Sequence, residues 1–200
     1  MELKVNTEPA VEPFSLDEVK KHLRLAVTTG DADIYTEEDD FLNRAITTAR
    51  RSVELRSGRA LITQTWEAYL DRWPTGRSFK LPYPPLVSAT VTYRLEDDSG
   101  YDNTLSTVVV DTTSEPGRIV LDVNERWPTE ALHPVNPIKI TFVCGYGDAG
   151  SDVPSGIISA IMLLISDLYE HRGETMAGVN IYRTEAVDAL LQNYRIWSNQ

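Results

Sequence analysis

Apolar positions along the chain fall into three regimes. From residue 16 to residue 59 they recur three and four apart, from 60 to about 147 they alternate, and from 154 onward the three-four spacing returns. In the first regime Ser15-Leu16-Asp17-Glu18 is an S-x-x-E pattern, in which the Ser15 hydroxyl takes the amide of residue 18 and Glu18 reaches back. It predicts a short helix from Leu16 to about Leu25, with Leu16, Val19 and Leu23 on one stripe. A second helix is predicted to open at Thr36, with Phe41, Leu42, Ala45, Ile46, Ala49 and Val53 as its apolar face. Acids at 37–40 and arginines at 50, 51, 56 and 59 complement the helix dipole, and Gly58 supplies the left-handed closing residue.

The alternating regime is rich in Thr, Val, Tyr and Trp. It predicts strands at Leu61–Asp71, Ser78–Leu81, Val87–Leu95, Thr104–Val110, Arg118–Asp122 and Ile138–Tyr146, with turns at 97–100 and 115–117. A compact antiparallel sheet or small barrel is expected from these strands and turns. In the last regime Pro154 suits a first helical turn, and Ile157, Ile158, Ile161, Met162, Leu164, Ile165 and Leu168 cover more than half of the helix after it. A polar loop from about 173 to 184 precedes a final helix, Glu185–Trp197, whose stripe is Val187, Leu190, Leu191, Tyr194 and Trp197. The Pro-bearing segment 1–14 reads as an extended arm.

The predicted class is therefore α+β: a small helical bundle of two N-terminal and two C-terminal helices, with an antiparallel β-sheet or small barrel inserted between them. The domain boundaries expected are 1–59 for the arm and first helices, 60–150 for the β insertion and 151–200 for the completing helices. So small a bundle has little core of its own, which favours association with copies or partners.

Composition adds exclusions. Hydrophobic residues at 42% and charged residues at 24% describe an ordinary globular chain and exclude a disordered one. With 19 Lys and Arg against 30 Asp and Glu, the net charge is −11. That argues against holding nucleic acid, because such affinity comes largely from cations that displace phosphate counterions. The same charge would let a duplex slide past an acidic wall without sticking. The single Cys144 can form no internal disulfide, and there is no Asn-x-Ser/Thr acceptor, which favours a reducing place of assembly. No signal peptide is visible, and the longest strongly apolar run, 157–165, falls far short of the ~20 residues that span a bilayer. A soluble protein with no membrane partner is expected.

No chemical step is legible. His22, His133 and His171 lie in separate segments without metal-ligand spacing, and there is no nucleophile elbow, phosphate loop or dinucleotide fingerprint. Asp31-Ala-Asp33 lacks the remaining positions of a calcium loop, and the run 37–40 reads as a solvated helix start. Cys144, mid-strand, reads as a small buried hydrophobe. Catalytic residues, cofactors and metals are therefore not expected, and the chain is read as a non-enzyme. A hydrolase using unrecognised carboxylates is the weakest of the readings. An alternative is a β-domain binding module, as in a host-attachment protein, that displays Trp66, Trp73, Tyr83 and Tyr93 to a carbohydrate or peptide.

Several short segments nevertheless occur in a specific order: Pro-Phe-Ser-Leu-Asp-Glu-Val-Lys-Lys-His-Leu-Arg (13–24), an acidic stretch before Phe41-Leu42, and Ser-Gly-Arg-Ala-Leu-Ile-Thr-Gln-Thr-Trp (57–66). Leu-Pro-Tyr-Pro-Pro-Leu (81–86), Pro-Gly-Arg-Ile (116–119), Phe-Val-Cys-Gly-Tyr-Gly (142–147) and Val153-Pro154 follow. In this order and spacing the chain resembles, over nearly its whole length, the head-to-tail connector or adaptor proteins of long-tailed bacteriophages. The version is the one with a β insertion, often described as a possible DNA-packaging protein. The 26–35 loop and the 98–114 region look longer than is usual there.

The resemblance implies a structural adaptor of the virion neck, assembled in the host cytoplasm. It implies a homo-oligomeric ring, dodecameric to match the portal protein, that extends the DNA channel and offers a platform to a tail-completion or stopper protein. DNA passes through such a ring without specific binding. A closed ring needs two complementary patches per subunit. The residues expected at subunit or portal interfaces are Phe41, Ile157, Ile161, Leu164, Leu168, Leu191, Tyr194 and Trp197. The N-terminal arm and the segment Tyr194–Gln200 are the expected docking pieces.

Overall fold

The computed structural model describes residues 1–25, 37–98, 100–171 and 182–196. The predicted opening of the second helix at Thr36, the Asp31-Ala-Asp33 segment, most of the 173–184 loop and Trp197 lie outside them. The chain is α+β and divides into two compact units, one of Met1–Ala10 with Thr63–Tyr146 and one of Val11–Ile62 with Gly147–Gln200.

The first unit holds two antiparallel sheets. Its strands are β1 (Glu2–Thr7), β2 (Gln64–Leu70), β3 (Ser78–Lys80), β4 (Leu86–Tyr93), β5 (Asn103–Thr104), β6 (Val108–Asp111), β7 (Arg118–Leu121) and β8 (Ile138–Cys144). The larger sheet runs β1-β2-β8-β4-β5 and the smaller β3-β7-β6. The central strand β8 alternates as the sequence predicts, with Ile138, Ile140, Phe142 and Cys144 buried and Lys139, Thr141 and Val143 half-buried between them. Ala68 of β2 and Val91 of β4 face Ile140 from either side, so one apolar layer crosses three strands.

Three sequence expectations change here. The arm 1–14 is not a free extension: residues 2–7 form β1, an edge strand paired with β2 from Glu2↔Tyr69 to Thr7↔Thr65. The single strand expected at Thr104–Val110 is two, β5 in one sheet and β6 in the other, with no Gly or Pro between them to mark the change. The strand expected from Leu61 begins at Gln64, because Leu61 and Ile62 are buried in the other unit.

That second unit contains α1 (Leu16–His22), α2 (Asp39–Ser57), α3 (Ser155–Glu170) and α4 (Tyr182–Leu191), with a 3-10 turn at Gly150–Asp152. The capping box forms as read: the Glu18 amide donates to Ser15 Oγ at 3.3 Å and the Ser15 amide to Glu18 Oε2 at 2.8 Å. Helix α2 ends at Gly58 with φ 71°, the left-handed value its glycine permits. Gly147 pairs with Ile62 in a one-residue parallel bridge. A Cβ there would crowd the Asp152 side chain.

The core of this unit is Leu42, Ile46, Ala49 and Val53 of α2 against Ile157, Ala160, Ile161 and Ile165 of α3, with Val19, Leu61 and Leu191 around them. One polar network runs through it. Arg50 Nε donates to Glu12 Oε2 at 2.7 Å and Nη1 to Glu54 Oε2 at 2.9 Å, while Glu54 Oε1 accepts the Leu61 amide at 3.0 Å. Burial opposes the Arg50 charge, but Glu12 and Glu54 outweigh it and hold its pKa above the ordinary value.

Candidate interaction surface

Helix α3 carries the widest apolar surface in the sequence, and the structure sorts it. Ile157, Ile161 and Ile165 are fully buried, and Leu191 of α4 nearly so. Ile157, Ile161 and Leu191 are therefore core residues of their own unit, which corrects their expected place at an interface. Their spacing sets them on the faces that α2, α3 and α4 turn to one another. Leu164 and Leu168 are half-buried. Leu163, which sequence reasoning passed over, is 43% exposed.

Beside Leu163 the two C-terminal helices leave a cleft of about 280 Å³, lined by Leu163, Leu164, Asp167 and Glu170 of α3 and Ala186 and Val187 of α4, with Arg56 and Ser166 completing it. Arg56 Nη1 stands 3.7 Å from Asp188 Oδ1 of α4. A second, shallower depression lies on the outer face of α2 among Asn43, Arg44, Thr47, Thr48 and Arg51. Leu55 closes that face at 75% exposure.

Phe41 and Tyr194 pack within their own unit. Phe41 is half-buried with its ring 6.3 Å from Tyr169, whose hydroxyl donates to Glu38 Oε2 at 2.8 Å. Helix α4 ends at Leu191, six residues before its predicted end at Trp197, and the chain then turns back to the end of α2. The Ile196 amide donates to Ser57 O at 2.9 Å, Arg195 Nε to Arg56 O at 3.0 Å, and Arg59 Nε to Tyr194 O at 2.5 Å. The first two bonds satisfy the last carbonyls of α2, which have no partner within the helix, and together with the third they outweigh continued helical periodicity in 192–196. Tyr194 packs over Gly156, where a Cβ would meet its ring at 2.9 Å. As far as Ile196, then, the proposed C-terminal docking piece is part of the unit.

In the sheet unit, the aromatic residues of the alternative reading stack on one another. Trp66 lies 4.5 Å from Tyr83, and Trp73 lies 5.2 Å from Trp127, nearly parallel, with Tyr93 edge-on at 5.5 Å. Trp73 also borders an open cleft with Arg72, Phe79 and Lys80. Tyr69 donates to Glu67 Oε2 at 2.6 Å, and burial, then that carboxylate, pushes its phenol up to about 12. Asp111 accepts from Ser114 and from Arg118 Nε at 2.8 Å, which holds its carboxyl well below the usual range.

Among the described residues no group of three or more His, Cys, Asp or Glu is placed to hold a metal, and no helix is long and apolar enough to cross a membrane. His22 Nε2 lies 3.0 Å from Ser166 Oγ, joining α1 to α3. Cys144 is buried with its Sγ 3.9 Å from the Gln64 carbonyl, in keeping with its reading as a core residue.

No family model matches the chain, and no curated protein sequence is similar to it. Solved structures are. A chain from the neck of an empty gene transfer agent (GTA) particle, computed with C6 symmetry, matches with a TM-score of 0.78 and 26% identity over 100% of this chain and 98% of that one. A chain from the virion of the native particle matches at 0.77 and 23%, and one from the native neck computed with C12 symmetry at 0.73 and 22%, with the same coverage. The whole chain, helices and sheets together, has the fold of these chains.

Proposed function

We propose that this protein is a structural component of the neck of a phage-like particle, an adaptor and not an enzyme, that acts by assembling into a ring of identical copies. The observation that carries the reading is the end-to-end match, at 26% identity, to a chain in a GTA neck computed with C6 symmetry. The order of segments that resembles phage connectors supports it independently. In the finer reading the ring sits under the portal, continues the DNA channel and receives a tail-completion protein, and its net charge of −11 disfavours retention of the duplex. The β-domain binding module has less support, since Trp66 and Trp73 already stack on Tyr83 and Trp127.

Native mass spectrometry of the full chain, alone and with a portal protein of the same particle, tests the reading. A single large oligomer of defined copy number is the expected result, and cryo-electron microscopy of the neck would place it. A strictly monomeric protein under both conditions would overturn the ring.

A further inference from the structure

We propose that neighbouring copies of this chain join through the outer face of α2 on one and the outer face of α3 on the next, in antiparallel register with Leu55 against Leu163. The proposal rests on the ring reading and assigns the lateral contact within it.

Each face is defined by its helix. On α2, Thr48, Arg51 and Leu55 are exposed at intervals of three and four, opposite the buried Ile46, Ala49 and Val53. On α3, Leu163, Asp167 and Glu170 run at intervals of four and three, opposite the buried Ile157, Ile161 and Ile165. Read toward the N-terminus from Leu55 and toward the C-terminus from Leu163, the two stripes have the same spacing. With the leucines apposed, Arg51 and Asp167 each lie four residues on, about 6 Å along their axes. Glu170 then falls opposite Thr48, with Arg51 on one side of it and the exposed Arg44 on the other. An apolar contact is continued by two cations against two carboxylates.

The arrangement also fits what ring closure needs. The stripes belong to different helices, and each looks away from the core that α2 and α3 share, so they occupy different flanks of the unit. Two unlike complementary patches on different flanks make a head-to-tail contact, the kind that a ring requires and a two-fold pair does not. The cleft of about 280 Å³ beside Leu163 offers the Leu55 side chain an apolar floor in Leu164 and Val187. Asp167 additionally stands 3.4 Å from His171 Nδ1, at the end of its own helix.

A DNA-facing role for the α2 stripe is the competing use of its arginines. Two cations displace few counterions, and a leucine 75% exposed within the stripe has no partner in a phosphate backbone. Protein contact is the better fit.

The test uses the full chain. The double variant L55C/L163C, mildly oxidised, should give a ladder of covalent multimers on a non-reducing gel, whereas either single variant should give none. The native Cys144 is buried and adds no cross-link of its own. R51E should raise the concentration for half-assembly roughly tenfold or more, since like charges then meet across the contact, and R51E/D167R should restore it. Circular dichroism verifies that each variant is folded. An oligomer that persists by native mass spectrometry without a ladder, and with R51E unaffected, would overturn this pairing and leave the ring reading standing. A protein that never assembles would overturn both. If R51E assembles normally but loses duplex binding, the α2 face belongs to DNA and the proposal fails.

Discussion

Strand β8 and helix α3 are both strongly apolar, and they dispose of that character differently. In β8 the alternation is closed on both sides by β2 and β4, so every second residue is buried and no apolar side chain of the strand is exposed. In α3 the apolar positions exceed what α2 and α4 cover, and Leu163 is left outside beside two carboxylates. The sheet unit also exposes apolar side chains, among them Val87, Val109, Val123 and Val135, but these are scattered β-branched residues of the ordinary kind. In a strand alternate residues share one face and are covered together, whereas a helix wraps its side chains around an axis and two neighbours cannot cover them all.

The largest effect expected from breaking this contrast lies in the polar interior of the helical unit. Glu54→Ala removes a carboxylate that holds both Arg50 and the Leu61 amide, and should cost about 3–5 kcal/mol in urea denaturation, because the buried Arg50 loses one of its two carboxylates and the buried amide loses its acceptor. Next come the two apolar cores. Ile161→Ala and Ile140→Ala should each cost about 2–5 kcal/mol, and hydrogen exchange should place the first loss in the helices and the second in the sheet. Loss spread evenly over both units from either variant would erase the distinction between them. Gly150→Ala follows at about 1–3 kcal/mol, since its Cβ would collide with the Pro13 carbonyl, a backbone atom that cannot rotate aside.

Ser15→Ala should cost about 1 kcal/mol by removing the cap of α1. Titration should touch both units. Glu18, lowered chiefly by its bond to the Ser15 amide, and Asp111, lowered chiefly by Ser114, have folded pKa values below their ordinary 4.5 and 3.8. Depressed carboxylates stabilise the fold above their unfolded values, and that contribution is lost as pH falls from about 5 downward. Thermal melts from pH 7 to pH 3 should therefore shift down. In Ser15→Ala the helical unit should show a smaller acid shift. The smallest effect is Leu55→Ala, within about 0.5 kcal/mol of the parent in stability, because its side chain is already in water.

Much of the fold was legible in residue order. The α2 face, its Gly58 terminus, the Ser15–Glu18 box and the β8 alternation are local facts, each set by neighbours within a turn or a strand. The candidate surface was legible only in part. The width of the apolar stripe on α3 marked the right helix, yet Ile157 and Ile161 are the residues its partners cover and Leu163 is the one they leave. The exposed Leu55 carried a signal, a leucine out of phase with the α2 stripe, and its position beside Arg51 and Thr48 made the face readable.

The sequence by itself determined which segments are helical, which are extended and where glycine must end an element, because those choices depend on periodicity and on backbone conformations a few residues long. Tertiary structure alone decided that residues 2–7 become an edge strand, that 104–111 divides between two sheets, and that the chain after Leu191 turns back to α2. Each of those outcomes depends on hydrogen-bond partners distant in the chain, such as β2 for β1 and the Ser57 carbonyl for Ile196, and no local pattern records a partner that far away.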